Sequence, residues 1–460
     1  AITEAPLCSG HRGREWEYTR SPSICLFCAD ACSTEVSVRH GRVEKVNAAG
    51  DADRTGYICA YGRFGYDSID DKTRVRSPLH KVDGEFRSIV WKDALDIAAR
   101  ACQSAQTTSV ITSGNLLNED LLTVRWWTEA AGLQVPCSTV GFYGDTSSLI
   151  GGAVDVQAAD LIVLVGLAPS QWERVFPALD VALRQLARQG TQLVVVNGED
   201  ARISEVARVV LSGDEVESVH ALTEAVHNRL QAGSAQPGGD VVPPETDKIT
   251  RVAELYVQAQ RPLIVTVPAL SQVCQNLAAK KGKVLSMPFE ANGKGVLLMG
   301  NTRRSKMEAD QVADADLLYA LGDLTFTRPE NAQFVIIQCS HLTGLAREAD
   351  LVLPVPTAFE STGTIVDYRE HLRMISPVIA PYGESRSHRR VLLEVAERLG
   401  LDVRAATAED VAEQITRFGP EKPFSPSAKR RTDLLRDLGH PFLGPDRPAA
   451  HSRCLSQLNP

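Results

Sequence analysis

Apolar residues change their spacing along the chain. From about residue 88 onward, short unbroken apolar runs alternate with segments in which apolar positions recur every three or four residues. Asp160–Gly166 (Asp-Leu-Ile-Val-Leu-Val-Gly) and Gln192–Asn197 (Gln-Leu-Val-Val-Val-Asn) hold runs of the first kind, and Ser109–Ser113 is predicted as a short strand. Helical spacing predicts helices over Ala94–Ala105, Glu119–Ala131 ended by Gly132, and Val175–Gln189 closed by Gly190. A second series follows. Its predicted strands are Pro262–Val267, Leu317–Leu321, Phe334–Gln338 and Leu351–Val355, and its helices are His388–Leu399, stopped by Gly400, and Ala408–Phe418. Strands that are apolar on both faces and alternate with amphipathic helices predict parallel sheets covered on both sides.

The opening 80 residues lack this rhythm and are dense in Cys, Gly, Arg and aromatic residues. They read as a small domain of short strands, such as Glu35–Arg39 and Arg42–Val46 around the turn His40-Gly41. Residues 231–246, rich in Gly, Ala, Gln and Pro, read as the clearest linker. The pattern therefore predicts a small domain at 1–80, a first α/β domain at 81–230, a linker at 231–246 and a second α/β domain at 247–400. A last helix and a Pro-rich, basic-tinged tail occupy 401–460.

Composition narrows the function classes. A chain of 460 residues can bury a large core and divide into about two to four domains. A net charge of −8 argues against a sequence-independent nucleic-acid binder, whose footprint is basic. No stretch approaches about 18 uninterrupted apolar residues, so no bilayer span is expected, and no basic leader with an apolar core opens the chain. Ala1 in place of an initiator Met is expected of a processed N-terminus or of a piece of a longer chain. Ten cysteines in so long a chain do not make a secreted scaffold and point to a reducing compartment. Cys102, Cys137, Cys274, Cys339 and Cys454 are scattered and read as packed or idle thiols, and Cys8 as another bystander.

The remaining four are different. Cys25-x2-Cys28-x3-Cys32 is followed after 26 residues by Cys59. One loop can supply three soft ligands and a separate turn the fourth, so that each thiolate takes one corner of a cubane cluster. Four thiolates also suit structural zinc, although zinc sites usually pair two couplets. The spacing ranks a [4Fe–4S] cluster ahead of zinc, with a disulfide framework behind both.

Several stretches together resemble one family. Ser21-Pro-Ser-Ile-Cys-x2-Cys-x3-Cys32 precedes Tyr57-Ile-Cys-Ala-Tyr-Gly-Arg-Phe-Gly-Tyr66 and Arg76-Ser-Pro-Leu79. Ala159–Gly166, Leu342–Pro354 and Phe359-Glu-Ser-Thr-Gly363 come later in the same order. This series is similar to the molybdopterin-oxidoreductase fold, and more narrowly to the C-terminal part of the G subunit of bacterial NADH:quinone oxidoreductase, or complex I. The resemblance covers roughly residues 1–400. It implies a small N-terminal [4Fe–4S] domain on two doubly wound α/β domains, with one cluster on Cys25, Cys28, Cys32 and Cys59. It implies as partners a ferredoxin-like iron–sulfur domain, which in the family ends just ahead of a segment like Ala1-Ile-Thr-Glu4, and a flavin subunit. The location it implies is cytoplasmic, on the inner face of the cell membrane. Arg39 and Arg63 would then add positive charge near the cluster, unless they are paired with Glu35 or Asp67.

Catalytic relatives of this fold, such as formate dehydrogenases and nitrate reductases, carry a pterin-bound metal. The chain departs from their pattern. Where they read Cys-x-Lys-Gly after the fourth ligand, it reads Cys59-Ala60-Tyr61-Gly62. The run Val140–Gly152 has no thiol where they place a metal ligand. Asp145 there reads as a turn residue and Cys137 as a packed thiol. Only 60 residues follow Gly400, where catalytic members carry a closing β-barrel. No molybdopterin is therefore expected. A catalytic molybdenum or tungsten subunit and a zinc-stapled assembly scaffold are the alternatives. Gly141-x2-Gly144 and Gly151-Gly152 do not make a dinucleotide loop. His40, His80, His341 and His388 occur singly and read as surface or supporting groups, Lys429-Arg430-Arg431 as a solvated run, and Asp70-Asp71 as a turn. Trp16, between Glu15 and Glu17, reads either as an interface anchor within Cys8–Tyr18 or as a core tryptophan.

Overall fold

The computed structural model describes residues 13–49, 56–143, 149, 154–167, 176–196, 202–232, 244–301, 312 and 314–417. Cys8, Asp145, Lys429-Arg430-Arg431, Cys454 and the tail beyond Arg417 lie outside them. Three antiparallel strands come first: β1 (Thr19–Ile24), β2 (Ser33–Arg39) and β3 (Arg42–Ala48), with β2 central. The β2–β3 turn puts His40 at φ 51° and Gly41 at φ 74°, the left-handed pair that matches the twist of a two-residue hairpin. The hairpin β4 (Leu79–Val82) and β5 (Glu85–Ser88) precedes β6 (Thr108–Thr112) and the short β7 (Cys137–Ser138). Next come β8 (Leu161–Val165), β9 (Gln192–Val196), β10 (Val209–Leu211), β11 (Pro262–Thr266) and β12 (Lys283–Ser286). The chain closes with β13 (Leu317–Leu321), β14 (Phe334–Cys339), β15 (Leu351–Pro354) and the hairpin β16 (Gly363–Val366) and β17 (Leu372–Ile375).

The predicted periodic elements are present to within a few residues. The helices run Trp91–Ser104, Asn118–Ala130, Pro177–Arg188, His388–Leu399 and Ala408–Arg417. Gly400 takes φ 70°, as a helix-terminating glycine should. The hairpins β4–β5 and β16–β17 were not predicted. Their strands are four residues long and only partly apolar, so period-2 counting has little to count.

The sheets do not follow the predicted serial division. The described residues of 13–143 and 289–417 form one compact unit, and those of 149–288 the other. The second unit is built on a five-stranded sheet in the order β10-β9-β8-β11-β12, parallel throughout. Residues 231–246 do not separate domains. Helices Glu215–Ala232 and Pro244–Gln258 flank them and pack on each other inside that one unit. Composition marks a polar connection but does not reveal that the chain returns to the same sheet.

The first unit holds the seven-stranded sheet β5-β4-β15-β14-β13-β6-β7. Strands β15 to β7 are parallel and the β4–β5 hairpin runs antiparallel at one edge. From β6 the order moves outward in both directions, which makes the β6–β13 boundary the topological switch point where open α/β sheets form a crevice. Gly322 permits the loops there to meet. It stands at φ 102°, and a Cβ on it would lie 2.5 Å from the Ser113 Cβ.

One buried ion pair fastens the first unit. Arg74 and Glu360 are both inaccessible to solvent and meet at 2.7 Å. Glu360 also accepts the Tyr382 amide at 2.7 Å and the Thr357 hydroxyl at 2.7 Å, while Arg74 Nε and Nη1 have no hydrogen-bond partner. Removing the carboxylate strands a buried cation. Glu360→Ala is expected to cost about 3–5 kcal/mol in urea unfolding, the range for breaking such a pair from one side; a loss below about 1 kcal/mol would show that the pair is not structural.

Candidate metal centre

The loop between β1 and β2 is held shut at its neck. The Cys25 amide donates to the Cys32 carbonyl at 2.9 Å, and the Ala31 amide to the Cys28 carbonyl at 3.1 Å. Ala31 takes φ 41°, unusual for a residue with a Cβ, to complete the turn. The loop is also anchored by later parts of the chain. The Ala29 amide donates to the Phe289 carbonyl at 3.2 Å, and Arg373 reaches the Ser33 hydroxyl at 2.6 Å. Cys59 arrives separately, as the cap of the short helix Ala60–Phe64, where its Sγ accepts the Gly62 amide at 3.5 Å. Gly62 has to be small: a Cβ there would meet the Ile58 side chain at 2.5 Å and Cys25 Sγ at 3.4 Å.

The four sequence-predicted thiols are thus brought to one place, and Cys25, Cys28 and Cys59 are hard to ionise there. Burial pushes Cys25 up to about 12, with Cys59 adding to the effect. Cys28 is raised well above the ordinary thiol value by burial, by Asp30, and by Cys32, Cys59 and Cys25 in turn. Burial also raises Cys59, against the pull of the Gly62 and Tyr61 amides. Buried thiols that oppose one another's ionisation become thiolates only beside a polycation. All eight described cysteines are free, so the disulfide alternative has no support among them. Among the described residues no three His, Cys, Asp or Glu side chains form a group that holds a single ion. Mononuclear zinc needs all four sulfurs about 2.3 Å from one point, whereas a cubane asks each thiolate only for its own corner.

A cavity of about 190 Å³ adjoins the thiol loop. Cys25, Leu26 and Gly62 line one side, and the ends of the parallel strands line the other through Ser113, Asp323, Ser340 and His341. His341 and His388, expected to be surface or supporting groups, both face it, and burial holds both imidazoles below the ordinary histidine value. Isolated histidines carry no spacing signal, so the sequence could not place them here. Asp323 organises the wall: its Oδ1 accepts the Ser340 and His341 amides, each at 3.0 Å, and its Oδ2 the Ser340 hydroxyl at 2.6 Å.

The other expectations divide. Cys137 and Cys339 are core thiols of the seven-stranded sheet. Asp71 accepts the Thr73 amide and hydroxyl, at 2.8 and 2.7 Å, as a turn residue does. Arg39 is paired with Glu17 at 3.1 Å and Glu44 at 3.7 Å, and Arg63 donates to the Asn47 side chain at 3.0 Å. Trp16 is 75% exposed under the Arg14 guanidinium, which removes the core reading.

A thiol-rich loop set against the carboxyl ends of a doubly wound sheet defines a class of redox fold. Residues 18–71 match the molybdopterin oxidoreductase Fe4S4 domain, and residues 74–398 match the molybdopterin oxidoreductase family. The chain belongs to the molybdopterin oxidoreductase family, with its iron–sulfur domain at the N-terminal side. It is 25% identical to NADH-quinone oxidoreductase subunit 3 of Thermus thermophilus, over 86% of this chain and 53% of that protein. It is 22% identical to the NADPH-Fe(3+) oxidoreductase subunit alpha of Geobacter sulfurreducens, over 89% of this chain and 59% of that protein. It thus spans little more than half the length of these relatives. Acetylene hydratase from Pelobacter acetylenicus shares the fold at a TM-score of 0.57 and 14% identity, over 83% of this chain and 69% of that one. The resemblance to complex I subunits and to the molybdopterin-oxidoreductase fold is borne out.

The cavity wall gives a direct test of Asp323. Asp323→Ala leaves two buried amides and a hydroxyl without their acceptor, each unmet group costing about 1–3 kcal/mol. Its unfolding midpoint in urea should fall well below that of Asp323→Asn, which keeps an acceptor at Oδ1. Equal midpoints would mean that the carboxylate is not the wall's organiser.

Proposed function

We propose that the chain is an iron–sulfur subunit, for electron transfer or structure, in the peripheral arm of a complex I-like NADH:quinone oxidoreductase. One [4Fe–4S] cluster would be held by Cys25, Cys28, Cys32 and Cys59. The observation that carries this reading is the convergence of four free thiols, of which Cys25, Cys28 and Cys59 are raised chiefly by burial and Cys25 and Cys28 also by neighbouring thiols. Such a cluster accepts and returns one electron. The chain's own contribution is to exclude water, to aim the Gly62 and Tyr61 amides at Cys59, and to place Asp30 nearby as a counterweight. Amides aimed at sulfur favour the reduced state, and a buried carboxylate opposes it. The charge of Arg39 is largely offset by Glu17 and Glu44.

Family membership favours a second reading, a catalytic molybdenum or tungsten pterin enzyme. The cavity supports the first. At about 190 Å³ it is smaller than ordinary cofactor sites. No Lys or Arg stands among its described lining residues, while Asp120 and Asp323 do, a poor setting for an anionic pterin phosphate. Tyr61 stands where catalytic relatives carry lysine. We take the pterin site to be degenerate. The purified chain is expected to contain about four iron with sulfide, and no molybdenum, tungsten or pterin. Cys28→Ala and Cys59→Ala should each lose the iron–sulfur absorbance. Zinc alone would leave the scaffold reading, and a stoichiometric pterin the catalytic one.

Partners follow from the same reading: a ferredoxin-like iron–sulfur domain and a flavin-bearing NADH-oxidising subunit. No helix among the described residues is long and apolar enough to cross a membrane, so attachment to the inner face of the cell membrane would pass through other subunits. Trp16, exposed beside Glu15 and Glu17, is the anchor we assign to this interface. Trp16→Ala should weaken co-purification with such subunits at least several-fold while iron content stays unchanged. Undiminished recovery of the partners would remove Trp16 from the interface.

A further inference from the structure

The wall of the cavity opposite the thiol loop carries an unusual hydrogen-bond count. Ser340 Oγ lies 2.6 Å from Asp323 Oδ2 and 2.7 Å from His341 Nδ1, and His341 Nε2 lies 2.9 Å from the Ser68 carbonyl. The carbonyl has no hydrogen to give, so Nε2 must carry one. The serine hydroxyl has a single hydrogen and two neighbours. If it donates to Asp323, its oxygen faces Nδ1, and that contact is attractive only when Nδ1 is protonated as well. If it donates to Nδ1 instead, its contact with Asp323 is attractive only when the carboxyl is protonated. Both fully bonded arrangements contain the same one extra proton, at the histidine end or at the aspartate end. Without it, one short buried contact sets lone pair against lone pair.

This relay is tied to the thiol site in two ways. Ser68 lies on the helical segment Gly65–Asp70, which continues directly from the helix capped by Cys59. His341, Asp323 and Ser340 also share the cavity with Cys25 and Gly62. We propose that Asp323, Ser340 and His341 form a buried relay that takes up one proton when the neighbouring iron–sulfur cluster is reduced. This rests on the function proposed above. The step balances as oxidised cluster, one electron from a one-electron donor and one hydrated proton from bulk solvent, giving reduced cluster and protonated relay. The added negative charge, little screened between buried walls, makes proton uptake more favourable.

Other charges set the starting point. Burial holds His341 below the ordinary histidine value, Arg74 beside it acts in the same direction, and Asp323 and Asp71 oppose. Arg74 is itself neutralised by Glu360. His388 also lines the cavity, as does Asp120, paired with Arg389 at 3.6 Å. With the cluster oxidised, the relay loses its extra proton below the ordinary histidine value of about 6.5; with the cluster reduced, it keeps it to higher pH. Between those two values the potential falls as pH rises. The limit is about 59 mV per pH unit, one tenfold step in proton activity per one-electron step.

The test is a redox titration of the full chain, reconstituted with iron and sulfide and followed by electron paramagnetic resonance from about pH 5.5 to 8.5. The wild-type potential should show this slope over part of the range. Asp323→Asn keeps the acceptor for both amides, and His341→Gln keeps a donor for Ser68. Both should retain the iron content and spectrum of the wild type and lose the slope. A wild-type potential independent of pH overturns the relay while leaving the cluster intact. So does a slope that survives unchanged in both variants, or one lost only in His388→Gln. A wild-type chain that takes up no iron–sulfur cluster overturns the underlying reading as well.

Discussion

The pairing of β6 with β13 is the contact on which the larger unit depends. Thr107 and Asp316 stand 209 positions apart and lock the strand ends reciprocally, each backbone amide donating to the other's side chain, at 3.1 and 2.9 Å. Leu317 to Leu321 then run in parallel register with Thr108 to Thr112. Both loops that form the crevice start from this pair. Closing so long a loop costs entropy that grows only logarithmically with length. The burial of both strands in the middle of the sheet offsets it where an exposed edge pair would not.

The thiol loop and the cavity wall are made of segments remote in sequence. Phe289, His341, Arg373 and the Phe359 ring all contribute to holding the small three-stranded sheet and the segment after Cys59. The small sheet by itself buries few apolar residues, chiefly Val36 and Val46 with Tyr66 and Ile69. Its order therefore comes from the rest of the unit, and the environment of the thiols is set by residues up to 340 positions downstream.

Much of this was legible in the sequence, for identifiable reasons. Central strands such as β8 and β13 are buried on both faces, so they appear as unbroken apolar runs. The four cysteines stand out because soft-ligand chemistry demands short spacing. Chain order, by contrast, concealed the nesting of residues 149–288 between two halves of one sheet. Strand pairing leaves no local mark when both partners are merely apolar. Nor could His341 and His388 be found, since what matters is burial and the company of Asp323 and Gln338, not neighbours in sequence. Trp16 was ambiguous because an aromatic side chain suits a core as well as a surface.

The anchoring of an early loop by late residues has a consequence for synthesis. Cys25 to Cys59 leave the ribosome some 280 residues ahead of His341. At roughly 5–20 residues per second that is an interval on the order of a quarter of a minute to a minute. Throughout it the four sulfurs are uncovered, with thiol acidities close to those of an unstructured peptide, and so are far more open to oxidants and stray metals than in the finished protein. Any factor that shields or loads them has its widest access then, before the carboxyl ends of β13 and β14 close over the site.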